Sequence, residues 1–375
     1  MAKNINNQPF DETTQLKLDI FRECFREWFP VFIHDKWTDK VFIFDFFAGS
    51  GNDTEGKYGS PLVLLDEAKG VDRKFCRNAK KDVAFIFNEV LKKKSEELSS
   101  NISNHILTCE KLNNCGRCIY DYKVTQSVFK SIFKEKSTID ILTNKSFGKF
   151  ILLDQYGFKQ IDDEIFHNLI HYPKTDFIFF ISSSFIKRFQ EHPSVKTYID
   201  TEKLNFDESK PKECHRIIAN YFRSSIPLDK EYYLHHFSIQ KVKSKGNYYG
   251  LIFGSNHTLG MEKFLKVCWQ KDKFSGESNF NIDDDFEEGT LFFNSDKSNK
   301  KEKVKTLLTN MILEGKIKDN ISGLKYTLRL GCEPSLFTNV VKELEKDKKV
   351  NRNGVLNYGS VNIHKIKRYF INLTK

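Results

Sequence analysis

No run of about 18 apolar residues occurs in the chain, so no membrane-spanning helix and no membrane partner are expected. The opening residues, MAKNINNQPFDETTQ, lack the apolar centre of a secretory signal, which makes the cytoplasm the expected location. In that compartment the eight cysteines should not pair as disulfides. Internal repeats are also missing, and residues 1–299 carry no excess charge of either sign.

What is present bounds the answer further. A chain of 375 residues is long enough for two domains. With 39% hydrophobic and 14% aromatic residues it is too apolar to remain disordered. The abundance of Phe and Lys reads as coding bias rather than function. The net charge of +10 is all in the last fifth, where residues 300–375 hold 17 Lys or Arg against 7 Asp or Glu. Such a tail suits contact with a polyanion; the plainer reading is a soluble basic unit with no nucleic-acid role.

Residues 11–29 place Leu18, Phe21, Phe25, Trp28 and Phe29 at helical spacing, and Pro30 is expected to end the run. Continuous apolar runs at 41–44, 83–87, 150–153 and 177–181 fit strands buried on both faces of a parallel sheet. Helical stretches near 61–69, 89–103, 127–135, 161–171 and 183–191 separate them, which predicts an α/β, doubly wound sheet. Segments 232–243 and 247–254 read as a closing antiparallel hairpin. Residues 271–300 turn polar, with Asp283, Asp284, Asp285, Glu287 and Glu288 in a row, and are expected to form a linker between a unit at 1–270 and one at 301–375. The acidic row is most simply a solvated face, with a metal site as the alternative. Three helical patterns at 303–314, 321–330 and 334–347 follow, then strands 349–352 and 355–362 around Asn353-Gly354. That is the layout of an α+β winged helix-turn-helix, with 334–347 as its recognition helix. Such a unit can equally mediate protein contacts.

Three strand ends carry candidate chemistry. The first reads Asp45-Phe46-Phe47-Ala48-Gly49-Ser50-Gly51, where glycines let backbone approach a ligand closely. The second ends in Asn88-Glu89, and an acid there can accept both ribose hydroxyls of a nucleoside; the alternative is a helix N-terminal acid favoured by the dipole. The third ends in Asp154-Gln155-Tyr156-Gly157. Asp154 can accept a hydrogen bond or a proton from an amino group, and Tyr156 offers a ring to a flipped base. The competing reading is a turn whose Asp caps the next helix. Separately, His105, Cys109, Cys115 and Cys118 form a Cys-rich stretch, an insertion at 105–118, with the Cys-x2-Cys spacing of a zinc knuckle. His105 is the nearest fourth ligand, with Cys76 and Cys214 as alternatives; free thiols or a redox or iron–sulfur site are the other readings.

Taken together these motifs resemble the three-Cys-motif partner (TcmP) family over nearly the whole chain. The resemblance rests on Thr14–Trp28, Asp45-Phe-Phe-Ala-Gly-Ser-Gly51 followed by Gly59-Ser-Pro-Leu62, Asp154-Gln-Tyr-Gly157, and His257–Trp269. Ser60 and Pro61 suit the cap and first position of the helix that follows. Gln155 stands where the family has proline. The resemblance implies a Rossmann-like, class I methyltransferase fold with S-adenosylmethionine as cofactor, Asp45, Phe46, Ala48, Gly49, Gly51 and Glu89 around it, and Asp154 and Tyr156 at the acceptor. The family is named for its genetic neighbours, so a protein partner encoded nearby in a multi-gene bacterial system is expected. Nucleic acid, DNA first, is the expected acceptor through the basic tail. A catalytically weak scaffold subunit, or a small-molecule methyltransferase whose tail contacts protein, are the alternatives.

Overall fold

The computed structural model describes residues 8–77, 80–113, 118–155, 157–204, 206, 209–241, 246–284, 299–356 and 363–374. The first helix, α1 (Glu12–Ile33), starts where the Asp11 carboxylate accepts the Thr14 N–H. Pro30 does not end it but lies inside it. An interior proline costs about 3 kcal/mol. Here the final turn is anchored by Phe32, whose ring stacks 4.5 Å from Trp28, and by buried Ile33.

The chain then alternates. In order come β1 (Lys40–Asp45), α2 (Ser60–Glu67), α3 (Lys74–Arg77), β2 (Asp82–Asn88), α4 (Lys92–Asn113), β3 (Asp121–Thr125), α5 (Phe129–Phe133), α6 (Lys136–Thr143) and β4 (Phe147–Leu153). After these follow α7 (Asp163–His171), β5 (Thr175–Ile181), α8 (Ser183–Arg188), α9 (Pro193–Lys196), α10 (Cys214–Ser224), β6 (Tyr233–Gln240), β7 (Tyr248–Ser255) and α11 (Thr258–Lys271). The seven strands form one sheet in the order β3-β2-β1-β4-β5-β7-β6. β1 to β5 run parallel, and β7 is antiparallel to both its neighbours. This is a mixed α/β, Rossmann-like fold built on a seven-stranded, mostly parallel sheet, as the alternation of strands and helices predicts. Its topological switch lies between β1 and β4, where doubly wound sheets bind ligands. One face is covered by the aromatic side of α1 with α2, α4 and α11, the other by α5 to α10.

The stretch from 271 onward begins as part of this body. The Ser238 N–H donates to the Glu277 carbonyl, and the Asn279 N–H to Ser238, so the chain runs along β6. Asp283 and Asp284 are not a bare solvated face: Asp283 pairs with Arg216 at 2.8 Å and Asp284 with Lys210 at 2.6 Å. Asp285, Glu287 and Glu288 lie outside the described residues.

The C-terminal elements are α12 (Asn299–Leu313), α13 (Asn320–Arg329), α14 (Ser335–Lys346), β8 (Val350–Arg352) and β9 (Ile371–Leu373). Val340, Val341 and Leu344 of α14 face inward, as their spacing predicts, while Leu336 is half-buried. Among the described residues β8 pairs with β9; most of the partner strand expected at 355–362 lies outside them, at 357–362. Asn353 closes that pairing by accepting the Phe370 N–H on its side chain, so the Asn-Gly signal marks a tie to β9 rather than a two-residue turn. The unit docks on the sheet edge through Trp269, whose indole donates to the Gly331 carbonyl at 3.0 Å, and through the Lys300–Glu277 pair at 2.7 Å. Among the described residues no helix is long and apolar enough to cross a membrane.

Candidate cofactor and acceptor site

Strand register brings the three predicted strand ends to one edge. Asp45 is level with Phe87 on β2 and Leu152 on β4, so Phe46–Gly51, Asn88-Glu89 and Asp154 leave the sheet side by side. The turn after β1 needs its glycines. Gly49 and Gly51 have φ of 63° and 89°, in the left-handed region that disfavours side chains. A Cβ on Gly51 would also stand 3.1 Å from the Leu98 side chain.

Glu89 braces this turn. One carboxylate oxygen accepts the Gly49 N–H at 3.1 Å and the other the Leu91 N–H at 2.8 Å. Each oxygen keeps a further lone pair, so the helix-start role and the ribose role are compatible. Asp45 is fully buried, accepting the Ser60 hydroxyl at 2.6 Å and the Phe47 N–H at 3.1 Å. Burial pushes its carboxyl up to about 7, against those two hydrogen bonds. Ser60 is therefore not the cap of α2, a position held by Gly59; its hydroxyl is spent on Asp45 instead. The Ala48 N–H donates to the Asn88 carbonyl. The Phe46 ring is buried, stacked 5.3 Å from Phe44 and edge-on to Phe129, so at the loop it offers only backbone.

At the third strand end Asp154 is ion-paired: both its oxygens accept from Lys17 Nζ, at 2.6 and 2.8 Å. Lys17 comes from the second turn of α1 and also stands 4.8 Å from the centre of the Phe180 ring at the end of β5. Gln155 is buried, and its side-chain oxygen accepts the Gln160 N–H at 2.9 Å, closing the turn. Tyr156 lies outside the described residues.

Sequence reading missed Lys17, Asn88 and Asp53. Asn88 ties the second and third parallel strands to the loop through the Phe46 and Ser127 carbonyls. Asp53 accepts N–H groups from Phe10, Glu55 and Lys57, pinning the chain ahead of α1 over the turn. The Asp-x-Glu-x-Lys turn hinted at a local role for Asp53; nothing in the sequence signals the Lys17 contact, which spans 137 positions.

The cysteine stretch is only partly within view, because Cys115 lies outside the described residues. His105 is on α4 beneath Tyr58, with rings 5.2 Å apart and edge-on. Its Nε2 is buried without a hydrogen bond among the described residues, and burial lowers its pKa. Cys109 follows one turn later, where the Asn113 amide approaches its sulfur at 3.4 Å. Cys118 donates its N–H to Glu110, and Cys76 lies against Tyr120. Cys214 is buried on α10 in the opposite layer, which removes it from the candidate ligands. Among the described residues no three His, Cys, Asp or Glu side chains gather as a metal site.

No family model matches the chain, and no curated protein matches it. Among solved structures it is similar to the METTL16 MTase domain, at 9% identity over 62% of this chain and 66% of that one, with a TM-score of 0.31. A human methyltransferase 10 domain containing protein is similar at 10% identity over 63% and 82%, with a TM-score of 0.29. The fold assignment rests on strand order and register, not on these likenesses.

Proposed function

We propose that the chain is an S-adenosylmethionine-dependent methyltransferase acting on nucleic acid, DNA first, with residues 301–375 as a basic winged helix-turn-helix that holds the polynucleotide. The observation that carries this reading is the left-handed Gly49–Gly51 turn at the topological switch, braced by the Glu89 carboxylate. The turn presents backbone without Cβ atoms, and Glu89 keeps lone pairs for ribose hydroxyls. The cofactor would supply the methyl group. Asp154 would orient the acceptor amine, with Tyr156 beside it, after Lys17 gives up one of its two bonds. A structural zinc on Cys109, Cys115, Cys118 and His105 belongs to the same proposal; the Cys-x2-Cys spacing and the unbonded His105 Nε2 support it, and metal analysis of the purified protein tests it.

Calorimetric titration with S-adenosylmethionine and S-adenosylhomocysteine tests the cofactor reading. Glu89→Ala should weaken binding about tenfold, since a lost charge-assisted hydrogen bond costs roughly 1.5–3 kcal/mol. Absence of binding to either ligand would overturn it.

The Lys17–Asp154 pair favours a second reading, a scaffold subunit of a multi-gene bacterial system with a protein partner encoded nearby. Asp154→Ala separates the two. Loss of methyl transfer with cofactor binding kept supports the enzyme; an active Asp154→Ala variant removes the catalytic role of Asp154.

A further inference from the structure

A cavity of about 720 Å³ opens at the amino ends of the parallel strands, at the far end of the sheet from the glycine turn. Its walls are aromatic: Trp28 and Phe32 from α1, Trp37 from the turn before β1, Phe150 from β4, Phe253 from β7 and Phe264 from α11. Trp37 stands at the mouth, 70% exposed, an unusual exposure for a tryptophan. The floor is polar. Asp176 is 3% exposed and accepts the Trp28 indole N–H at 2.8 Å, and burial pushes its carboxyl up to about 7. Gly260 lets α11 approach this floor, because a Cβ there would fall 2.8 Å from the Asp176 carboxylate. Asn256 also lines the cavity. The rim is basic. Lys174 is bound to the Trp37 carbonyl and Lys263 to Glu27, while Lys36 lies over the face of Trp37, 4.6 Å from its centre. Lys365 reaches the same rim from the C-terminal unit.

Each part of this arrangement selects a feature of one ligand class. The volume falls in the range of small-molecule sites, roughly 300–1,000 Å³. Ring-lined walls favour a flat aromatic body, which can stack on them, over a flexible alkyl chain. The buried Asp176 carboxyl on the floor offers hydrogen-bonding atoms to a heterocycle's edge, which an apolar ligand would leave unpaired. Lysines at the mouth match an anionic group left outside. We infer that this cavity binds a nucleoside phosphate, with the base between the aromatic walls on the Asp176–Asn256 floor and the phosphate at Lys36 and Lys365. Because Lys365 belongs to the C-terminal unit, the ligand would touch both parts of the chain. This inference does not depend on the methyltransferase reading.

Calorimetric titration of the full chain with AMP, ATP and adenosine tests it. AMP and ATP should bind saturably. Trp37→Ala, at an exposed position, should weaken AMP about tenfold, and Lys36→Glu with Lys365→Glu should weaken AMP about tenfold while changing adenosine less than twofold; tenfold corresponds to 1.4 kcal/mol. No saturable binding of AMP or ATP up to about 1 mM would overturn the inference. So would AMP affinity that is unchanged both in Trp37→Ala and in the double lysine variant, which would place the nucleotide elsewhere.

Discussion

The two ends of the sheet each bury one carboxyl pushed up to about 7, yet they are built in different ways. At the carboxyl end Asp45 is held by a hydroxyl and a backbone N–H, and the surrounding turn is glycine-shaped and braced by Glu89. At the amino end Asp176 is held by an indole and the Ser255 hydroxyl, inside an aromatic cavity. One end exposes glycine backbone; the other encloses space with rings. The difference teaches that the same buried acid can stiffen a loop or floor a pocket, depending on what packs around it.

The largest effect should follow at the amino end. Trp28→Ala removes both an aromatic wall and the donor to Asp176, and such truncations cost about 3–5 kcal/mol, readable in urea unfolding. A loss below about 1 kcal/mol would mean that Trp28 packs far more loosely than its 3% exposure implies.

At the carboxyl end, Gly51→Ala forces a side chain into a left-handed residue, and about 1–3 kcal/mol of strain is expected, with S-adenosylmethionine affinity falling alongside stability. If affinity is untouched while stability drops, the turn is structural only.

The two carboxyls also predict a pH response. In the unfolded chain each ionises near the ordinary 3.8, while the folded state keeps its proton until about 7. Each therefore lowers stability as pH rises from about 4 to about 7. Asp176→Asn, which imitates the neutral acid, should melt above the parent at pH 8 and close to it at pH 4, and Asp45→Asn should do the same. A response at only one end would show that the two acids are not equivalent.

A smaller opposing trend comes from the β6 edge. There His215 and His235 are buried and held neutral, pushed down to about 4 and about 3. The unfolded chain takes up protons below about 6.5 while these rings do not, so stability falls as pH drops from about 6.5 toward 4. With both Asp→Asn changes in place, thermal melts should fall over that window, with buried His236, also held below its ordinary value, adding to the loss. A flat profile would mean the rings gain protons without unfolding.

Much of the fold was legible because burial on both faces leaves a continuous apolar run. The runs at 41–44, 83–87, 150–153 and 177–181 each lie within a strand, and strand ends followed by Gly-x-Gly, Glu89 and Asp154 marked one edge of the sheet. β3 escaped because Asp-Tyr-Lys-Val-Thr is an exposed edge strand with no such run. The extension of α1 past Pro30 escaped because local propensity favours a stop, and only the stacking of Phe32 on Trp28 reverses it. The β8–β9 pairing escaped because its partners are about twenty residues apart and the nearer Asn-Gly signal looked sufficient.

By itself the sequence determined the alternation of strands and helices, the glycine turn, the acids at the strand ends and the segregation of positive charge, since these depend on local pattern and composition. Tertiary structure alone decided that Lys17 reaches Asp154, that Ser60 serves Asp45 rather than α2, and that six aromatic side chains from five separate segments enclose one cavity. Those contacts join positions far apart in the chain, and their partners are chosen by strand register and helix packing, which no local pattern encodes.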